Sequence, residues 1–212
     1  MTTDAVEPSR SGEPQRSVEV ELKFDVDAGT EPPDWTALPG VDAVSTGEVR
    51  ELDARYLDTA DLLLARAGYA LRRRTGGPDE GWHIKGPREG DARVELHWPL
   101  GDPDAVPAGA IDALAAVTDA PLLPLARIRN TRTAYALVDH AGAIVAEFAD
   151  DLVRARDVRS GAERAWREWE IELGPARPAD PAAFLSAVEA VVMSAGGRIA
   201  ASDSKLARAL GH

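Results

Sequence analysis

Cysteine is absent from the 212-residue chain. That excludes a disulfide framework, a thiolate zinc site and a cysteine nucleophile, and it fits a reducing cytoplasm. Histidine is scarce: His83, His97, His140 and His212 are scattered without zinc-ligand spacing. No run of about 18 apolar residues exists, so no membrane span is expected. The N-terminus is polar and acidic, not basic and then apolar, so no secretory signal is read there and a cytoplasmic location is expected. No Ser/His/Asp set and no phosphate-cradling glycine loop is evident, which turns the reading away from covalent and P-loop chemistry. Positive charge is also in deficit, with 24 Lys and Arg against 36 Asp and Glu for a formal net charge of −12. Duplex nucleic acid wants a basic face and is not an expected partner. The cations that exist are clustered, at Arg72-Arg73-Arg74 and at Arg127, Arg129 and Arg132. Focused positive charge within an acidic chain suits a small polyanion.

What the chain does have is strict alternation. Val18 to Phe24 puts Val18, Val20, Leu22 and Phe24 on one face of a strand and Glu19, Glu21 and Lys23 on the other. Trp166 to Leu173 repeats the pattern with Glu168, Glu170 and Glu172 opposite Trp169, Ile171 and Leu173. Arg72 and Arg74 share a side, as do His83 and Lys85, and Arg93-Val94-Glu95-Leu96-His97-Trp98 alternates again. Solvated strand faces mix Thr, Ser, Gln and Lys, whereas these faces carry Glu, Arg and Lys in blocks of one sign. Closed into a barrel, such strands would enclose carboxylates facing cations. Unpaired buried charge is costly, so the interior needs counter-charges: metal ions for the carboxylates and a polyanion for the cations.

Along the chain, residues 1–16 lack periodicity and are expected to be a disordered tail, leaving 17–212 as one domain. Strands are expected at about 17–25, 41–50, 53–57, 69–75, 81–86, 92–100, 127–138, 143–149, 151–158 and 166–173. Short helices are expected around Asp34-Trp35, over 60–66 capped by Thr59, over Ile111–Val117, over Ala182–Ala195, and after Ser202 as the cap of a last helix. The sum is an α+β domain centred on an antiparallel β-barrel. Trp82, Trp98, Trp166 and Trp169 are assigned to the outside, under the helices. His83 and His97 are read as satisfied polar groups of the inner wall.

With these residues in place, a resemblance becomes visible. Glu19-x-Glu21-x-Lys23 resembles the ExExK signature of the CYTH superfamily, the triphosphate tunnel metalloenzymes. Tyr56-Leu57-Asp58-Thr59 and Leu71-Arg72-Arg73-Arg74 resemble its YxDT and LRxR segments. Lys85, Arg93-x-Glu95, Glu147 with Asp151, Glu168-x-Glu170-x-Glu172 and Ser204-Lys205-Leu206 follow in the family's order over about residues 17–208. The wording is closest to CYTH domains that precede a helical, phosphate-binding CHAD domain. The resemblance implies an eight-stranded antiparallel tunnel with short helices outside and at one mouth. It also implies a triphosphate or short polyphosphate substrate and one or two Mg²⁺ or Mn²⁺ ions. Members are often homodimers. Members act on inorganic triphosphate, thiamine triphosphate, RNA ends or nucleotides, and some cyclise ATP; for this chain the alternatives to a triphosphatase of inorganic triphosphate are an adenylate cyclase or thiamine triphosphatase using the same site, or a non-catalytic polyphosphate-binding module.

Carried over residue by residue, Glu19, Glu21, Asp151, Glu170 and Glu172 match metal-binding positions. Together with Glu168, the four glutamates of the two Glu-x-Glu pairs form the expected catalytic set. Lys23, Arg72, Arg74, Lys85, Arg132 and Lys205 match phosphate-binding positions. Arg129 is grouped with them, although Arg127 and Arg129 differ in strand parity from Arg132, so at least one of the three must point outward. Arg73 has outward parity. Arg93 is expected to pair with an interior carboxylate, with phosphate binding as the alternative. Glu95 and Glu147 are assigned to the interior. The expected chemistry is metal-dependent hydrolysis of inorganic triphosphate to diphosphate and orthophosphate.

Overall fold

In a computed structural model, residues 12–90, 92–102, 105–202 and 204–212 are described. Residues 1–11 of the expected tail lie outside them. The elements run β1 (Gln15–Val26), a 3₁₀ turn (Trp35–Ala37), β2 (Ala43–Val44), β3 (Glu48–Asp58), α1 (Leu63–Arg66), β4 (Ala70–Thr75), β5 (Gly81–Glu89) and β6 (Ala92–Trp98). They continue with α2 (Ala108–Leu114), β7 (Leu123–Val138), β8 (Ile144–Asp157), β9 (Glu163–Leu173), α3 (Pro181–Ser194), β10 (Arg198–Ile199) and α4 (Lys205–Leu210). Every pairing is antiparallel, in the order β1-β6-β5-β4-β3-β7-β8-β9, and β9 pairs back to β1. The result is a closed eight-stranded barrel, with β2 and β10 as short additions on β7 and β1.

Alternation decides which side each residue faces. The outer, apolar faces are covered in two places. Phe24, Phe148, Trp169 and Ile171 pack under α3 through Phe184, Val188 and Val192. The helix forms there because Asp180 accepts from the Ala183 N–H, Pro181 fits the first turn, and the apolar residues recur at helical spacing. Leu71, Trp82, Ile84 and Trp98 pack under α1 and α2 through Leu64, Ala110 and Leu114. Between β4 and β5 the chain turns at Gly76 and Gly77, both left-handed at φ near +80°. A side chain at Gly76 would strike the Glu51 carbonyl oxygen at 1.9 Å.

Several local expectations are corrected. β1 starts at Gln15, inside the expected tail. The 143–149 and 151–158 strands are one unbroken β8. The Asp150-Asp151 pair does not turn the chain, because each acid is neutralised from its own side of the sheet. Arg167 holds Asp150 at 2.8 and 2.7 Å outside, and Arg132 holds Asp151 at 2.8 and 2.7 Å inside. The 41–50 and 53–57 segments largely merge into β3. The helix expected at 60–66 is a single turn from Leu63, held by Thr59 and more by Asp58. The buried Asp58 carboxylate accepts from Thr59, Leu64 and Ala65 N–H groups at 2.7 to 3.0 Å. α2 lies nearer the N-terminus than Ile111–Val117, behind Pro107. The cap of the last helix is Ser204, accepting from Ala207 N–H, and not Ser202.

α4 enters the barrel end. Leu206 and Ala209 pack with Ala54, Tyr56, Ala126, Ile128, Val153 and Ala155, which share the inward parity of their strands. Half of the interior is therefore an apolar plug, and the charged half lies above it. Trp166 belongs with this plug, not under an outer helix. It has the parity of Glu168, packs against the plug, and lies beneath the Arg208 guanidinium at 4.8 Å.

Candidate functional site

The charged half of the interior is a cavity of about 100 Å³. β1 contributes Glu19, Glu21 and Lys23, and β9 contributes Glu170 and Glu172. The two strands lie in continuous register, with Glu21 beside Glu172 and Lys23 beside Glu170. β4 supplies Arg72 and Arg74, β5 Lys85, β7 Arg132, and α4 Lys205. Ten of the expected site residues thus line one space, placed there by period-two alternation on five strands and by the first residue of one helix.

Cations and carboxylates interlock. Lys23 Nζ donates to Glu21 at 2.8 Å and also to Glu170. Lys85 bridges Glu19 and Glu95, the latter at 3.1 Å. Arg72 lies 3.8 Å from Glu95 and donates to the Tyr56 hydroxyl at 3.5 Å. Arg88 reaches Glu21 at 3.4 Å. Arg74 pairs with Asp79 of the β4–β5 turn, and Arg132 joins Asp151 to Glu170. The deepest knot is Lys205, whose ammonium lies 2.8 Å from Asp151, 2.6 Å from Glu168 and 2.7 Å from Glu170. Oxygens of those three acids lie within 4.8 Å of one another, a spacing that could also hold a metal ion.

Some expected site residues are not on the cavity wall. The Arg129 side chain is 64% exposed on the barrel exterior, facing Asp53 at 4.0 Å. With Arg132 inside and no bulge between them in the β7–β8 register, parity forces Arg129 outward. Arg127 is outside too, bonded to Asp53. Asp151 is fully buried behind the wall, committed to Arg132 and Lys205. Glu168 is buried as well, accepting from the Trp166 indole N–H and facing Lys205. Arg93 does line the cavity but donates to the Gly86 and Gly68 carbonyls at 2.6 and 3.2 Å, not to a carboxylate. Glu147 is held by Arg50 at 3.2 Å. His83 is bonded to Glu95 at 2.7 Å and to the Asp79 carbonyl at 3.0 Å, as a satisfied wall residue should be.

Tyr56, Asn130, Asp79 and Ser204 also line the space. Asn130 shares parity with Arg132, so alternation alone would have found it. Asp79 lies in a turn, where no periodicity operates.

The charges shift each other's protonation. Burial pushes the Glu170 carboxyl up, but Lys205, Lys23 and Arg132 outweigh it and hold it well below the usual range. Glu95 is likewise held low, because Lys85, His83 and Arg72 overcome its burial. Glu172 goes the other way. Burial, then Glu19, Glu21 and Glu170 around it, push it up to about 7 against the pull of Lys85, and among the described residues it makes no salt bridge. Glu19 is raised mainly by burial. Burial drives His83 down to about 3 and Arg74 to about 9.

These shifts give a testable pH dependence of metal-free stability. Glu172 is raised above its ordinary 4.5, so its contribution is present below that value and lost as pH rises toward about 7. His83 is depressed below 6.5, so its contribution is present above that value and lost as pH falls toward about 3. Across pH 4.5 to 6.5 the two slopes oppose, each up to about 1.4 kcal/mol per unit. Glu19, also raised, adds to the downward slope, so melting in chelator should rise more steeply with pH in Glu172→Gln than in the native chain. Parallel curves would show that Glu172 does not titrate in this window.

A family model described as the CYTH domain matches residues 17–194. Two uncharacterized proteins of Mycobacterium tuberculosis, from strains CDC 1551 / Oshkosh and ATCC 25618 / H37Rv, are each 39% identical over 216 aligned residues. The alignment covers 96% of this chain but 42% of each relative, so the chain spans less than half their length. Among solved structures, a candidate adenylate cyclase from Bacillus halodurans superposes with a TM-score of 0.62 at 16% identity, covering 91% of this chain and 97% of that one. A candidate adenylyl cyclase from Hippeastrum, described as having a dominant triphosphatase activity, gives 0.59 at 16% identity, covering 91% and 94%. At such identities the structural likeness speaks to the fold.

Proposed function

The chain belongs to the CYTH domain family, and from that premise we propose that it hydrolyses a triphosphate with the help of a divalent metal, inorganic triphosphate being the substrate. The observation that carries this reading is the cavity wall: two Glu-x-Glu pairs and six expected phosphate-binding cations facing one small space, with Arg93 as a further cation on the wall. The six are Lys23, Arg72, Arg74, Lys85, Arg132 and Lys205. Their mutual ion pairs keep buried charge neutral until a polyanion replaces the carboxylates as the cations' partner. Among the described residues the one aromatic on the wall, Tyr56, is hydrogen-bonded to Arg72, which argues against a stacking platform for a base or thiazole.

The donor set fits a hard cation. Glu172 makes no ion pair among the described residues, and burial together with the neighbouring carboxylates raises its carboxyl against the pull of Lys85, so a divalent ion would relieve it. Glu19, Glu21, Glu170 and Glu172 would hold Mg²⁺ or Mn²⁺. The ion would supply neutralisation of phosphate oxygens and a more acidic bound water. Arginine forks and lysine ammonium groups grip and align the phosphates. A wall carboxylate positions the water in line with the terminal phosphorus, and the products are orthophosphate and diphosphate. Such catalysis is positioning and charge neutralisation. Because Lys205 lines the cavity, the functional unit in this reading extends past the matched residues to α4. A cytoplasmic location accompanies this reading.

The test is phosphate release from inorganic triphosphate, ATP and thiamine triphosphate, each with Mg²⁺, Mn²⁺ or chelator. Inorganic triphosphate should be hydrolysed fastest and only with metal; equal or faster turnover of an organic triphosphate would overturn the substrate. Arg72→Ala and Arg74→Ala should each weaken triphosphate binding by about 1.5–3 kcal/mol, the scale of a charge-assisted hydrogen bond. Arg73→Ala, on the outer parity, should change it little. Titration calorimetry checks this, and a dominant effect at Arg73 would contradict the inward assignment of its neighbours.

A further inference from the structure

The barrel exterior carries a second cationic array that the tunnel chemistry does not use. Arg73 on β4 pairs in register with Arg55 on β3, Arg55 with Arg127 on β7, and Arg127 with Arg156 on β8. Four arginines therefore stand side by side across four adjacent strands. On the next outward row Arg129 pairs with Arg154. Arg55, Arg129, Arg154 and Arg156 are exposed. Neighbouring strands are about 4.8 Å apart, and like charges directly opposite each other are destabilising. Carboxylates balance little of this. Asp53 is shared between Arg127 and Arg129, and Glu163 approaches Arg156 only at 3.9 Å on an exposed edge. In a chain of net charge −12, such a row marks a surface whose missing partner is an anion.

We propose that this face binds an extended inorganic polyphosphate chain, at a site separate from the cavity. All the cations are arginine, whose planar fork suits phosphate oxygens. The aromatic residue next on the first row, Trp82 beside Arg73, is buried under the helices, so among the described residues the two rows offer no exposed ring to stack a base, as single-stranded nucleic acid prefers. An extended acidic peptide places same-face carboxylates about 6.8 Å apart, a poor match to arginines at strand spacing, whereas a flexible phosphate chain bears charge on every unit.

The experiment measures binding of a medium-chain inorganic polyphosphate to the full chain with the tunnel saturated by inorganic triphosphate. The variant is Arg55→Gln/Arg154→Gln/Arg156→Gln, compared with the native chain, with a single-stranded RNA homopolymer and poly-glutamate as competitors. Polyphosphate affinity should fall by at least about tenfold in the triple variant, since three charge-assisted contacts are lost. Its triphosphate turnover should stay unchanged, and its melting temperature without ligand should hold or rise as repulsion is relieved. Three results would overturn the proposal: unchanged polyphosphate affinity in the variant, complete displacement of polyphosphate by triphosphate, or tighter binding of RNA or poly-glutamate. None depends on whether the tunnel is a triphosphatase, which the Glu172→Gln variant reports separately.

Discussion

Glu172→Gln is expected to lower triphosphate hydrolysis by about 10²-fold or more while leaving the fold intact. The substitution keeps the side-chain size and removes one negative charge and one metal-donor oxygen. Glu172 differs from the other wall acids in one respect that makes the experiment clean. Glu170 is tied to Lys23, Arg132 and Lys205, so neutralising it would strand buried cations and confound activity with stability. Glu172 makes no such ion pair among the described residues, and burial together with repulsion from Glu19, Glu21 and Glu170 outweighs the pull of Lys85 on it. At pH 8 and without metal, the Gln variant should therefore melt at or above the native temperature. The increase in melting temperature produced by Mg²⁺ or Mn²⁺ should shrink, because ligand stabilisation follows the logarithm of affinity. Turnover within a few-fold of native at saturating metal and substrate would remove Glu172 from the site.

The wall that this experiment probes was largely readable as sequence, for a physical reason. Blocks of like charge at period two are incompatible with an apolar core and wasteful on a solvated face, so β1, β4, β5 and β9 announce an inward charged surface. Alternation also sends Arg129 out once Arg132 points in, and sends Trp166 in with Glu168. In both cases the pattern was right and the grouping by residue type was not. What alternation cannot show is which distant residue neutralises which charge. Asp150-Asp151 reads as a chain-breaking acidic pair until Arg167 and Arg132 arrive from other strands on opposite faces. The apolar half of the interior was equally hidden. Ala54, Ile128 and Val153 face inward with ordinary strand alternation, and only α4, folding back from the far end of the chain, explains why they need no charge.

That helix also sets the second large effect. Lys205→Met keeps most of the apolar stem and deletes the cation, as an exposed terminal lysine would tolerate for under about 0.5 kcal/mol. Lys205 is not exposed. Its ammonium is the common partner of Asp151, Glu168 and Glu170, and they hold its pKa far above the ordinary lysine value despite burial. Removing it leaves three buried acids with Arg132 and Lys23 as the main remaining counter-charges, so metal-free stability should fall by about 3–5 kcal/mol. The same three acids then form an oxygen-rich cluster with donor atoms within 4.8 Å of one another and no ammonium in it. Mg²⁺ or Mn²⁺ should enter that cluster and recover much of the loss, so the metal-induced rise in melting temperature should be larger in Lys205→Met than in the native chain. Melting in chelator and in either metal, for both proteins, reads the two effects separately. A variant as stable as native in chelator, with the same metal response, would show that Lys205 neutralises nothing inside the barrel.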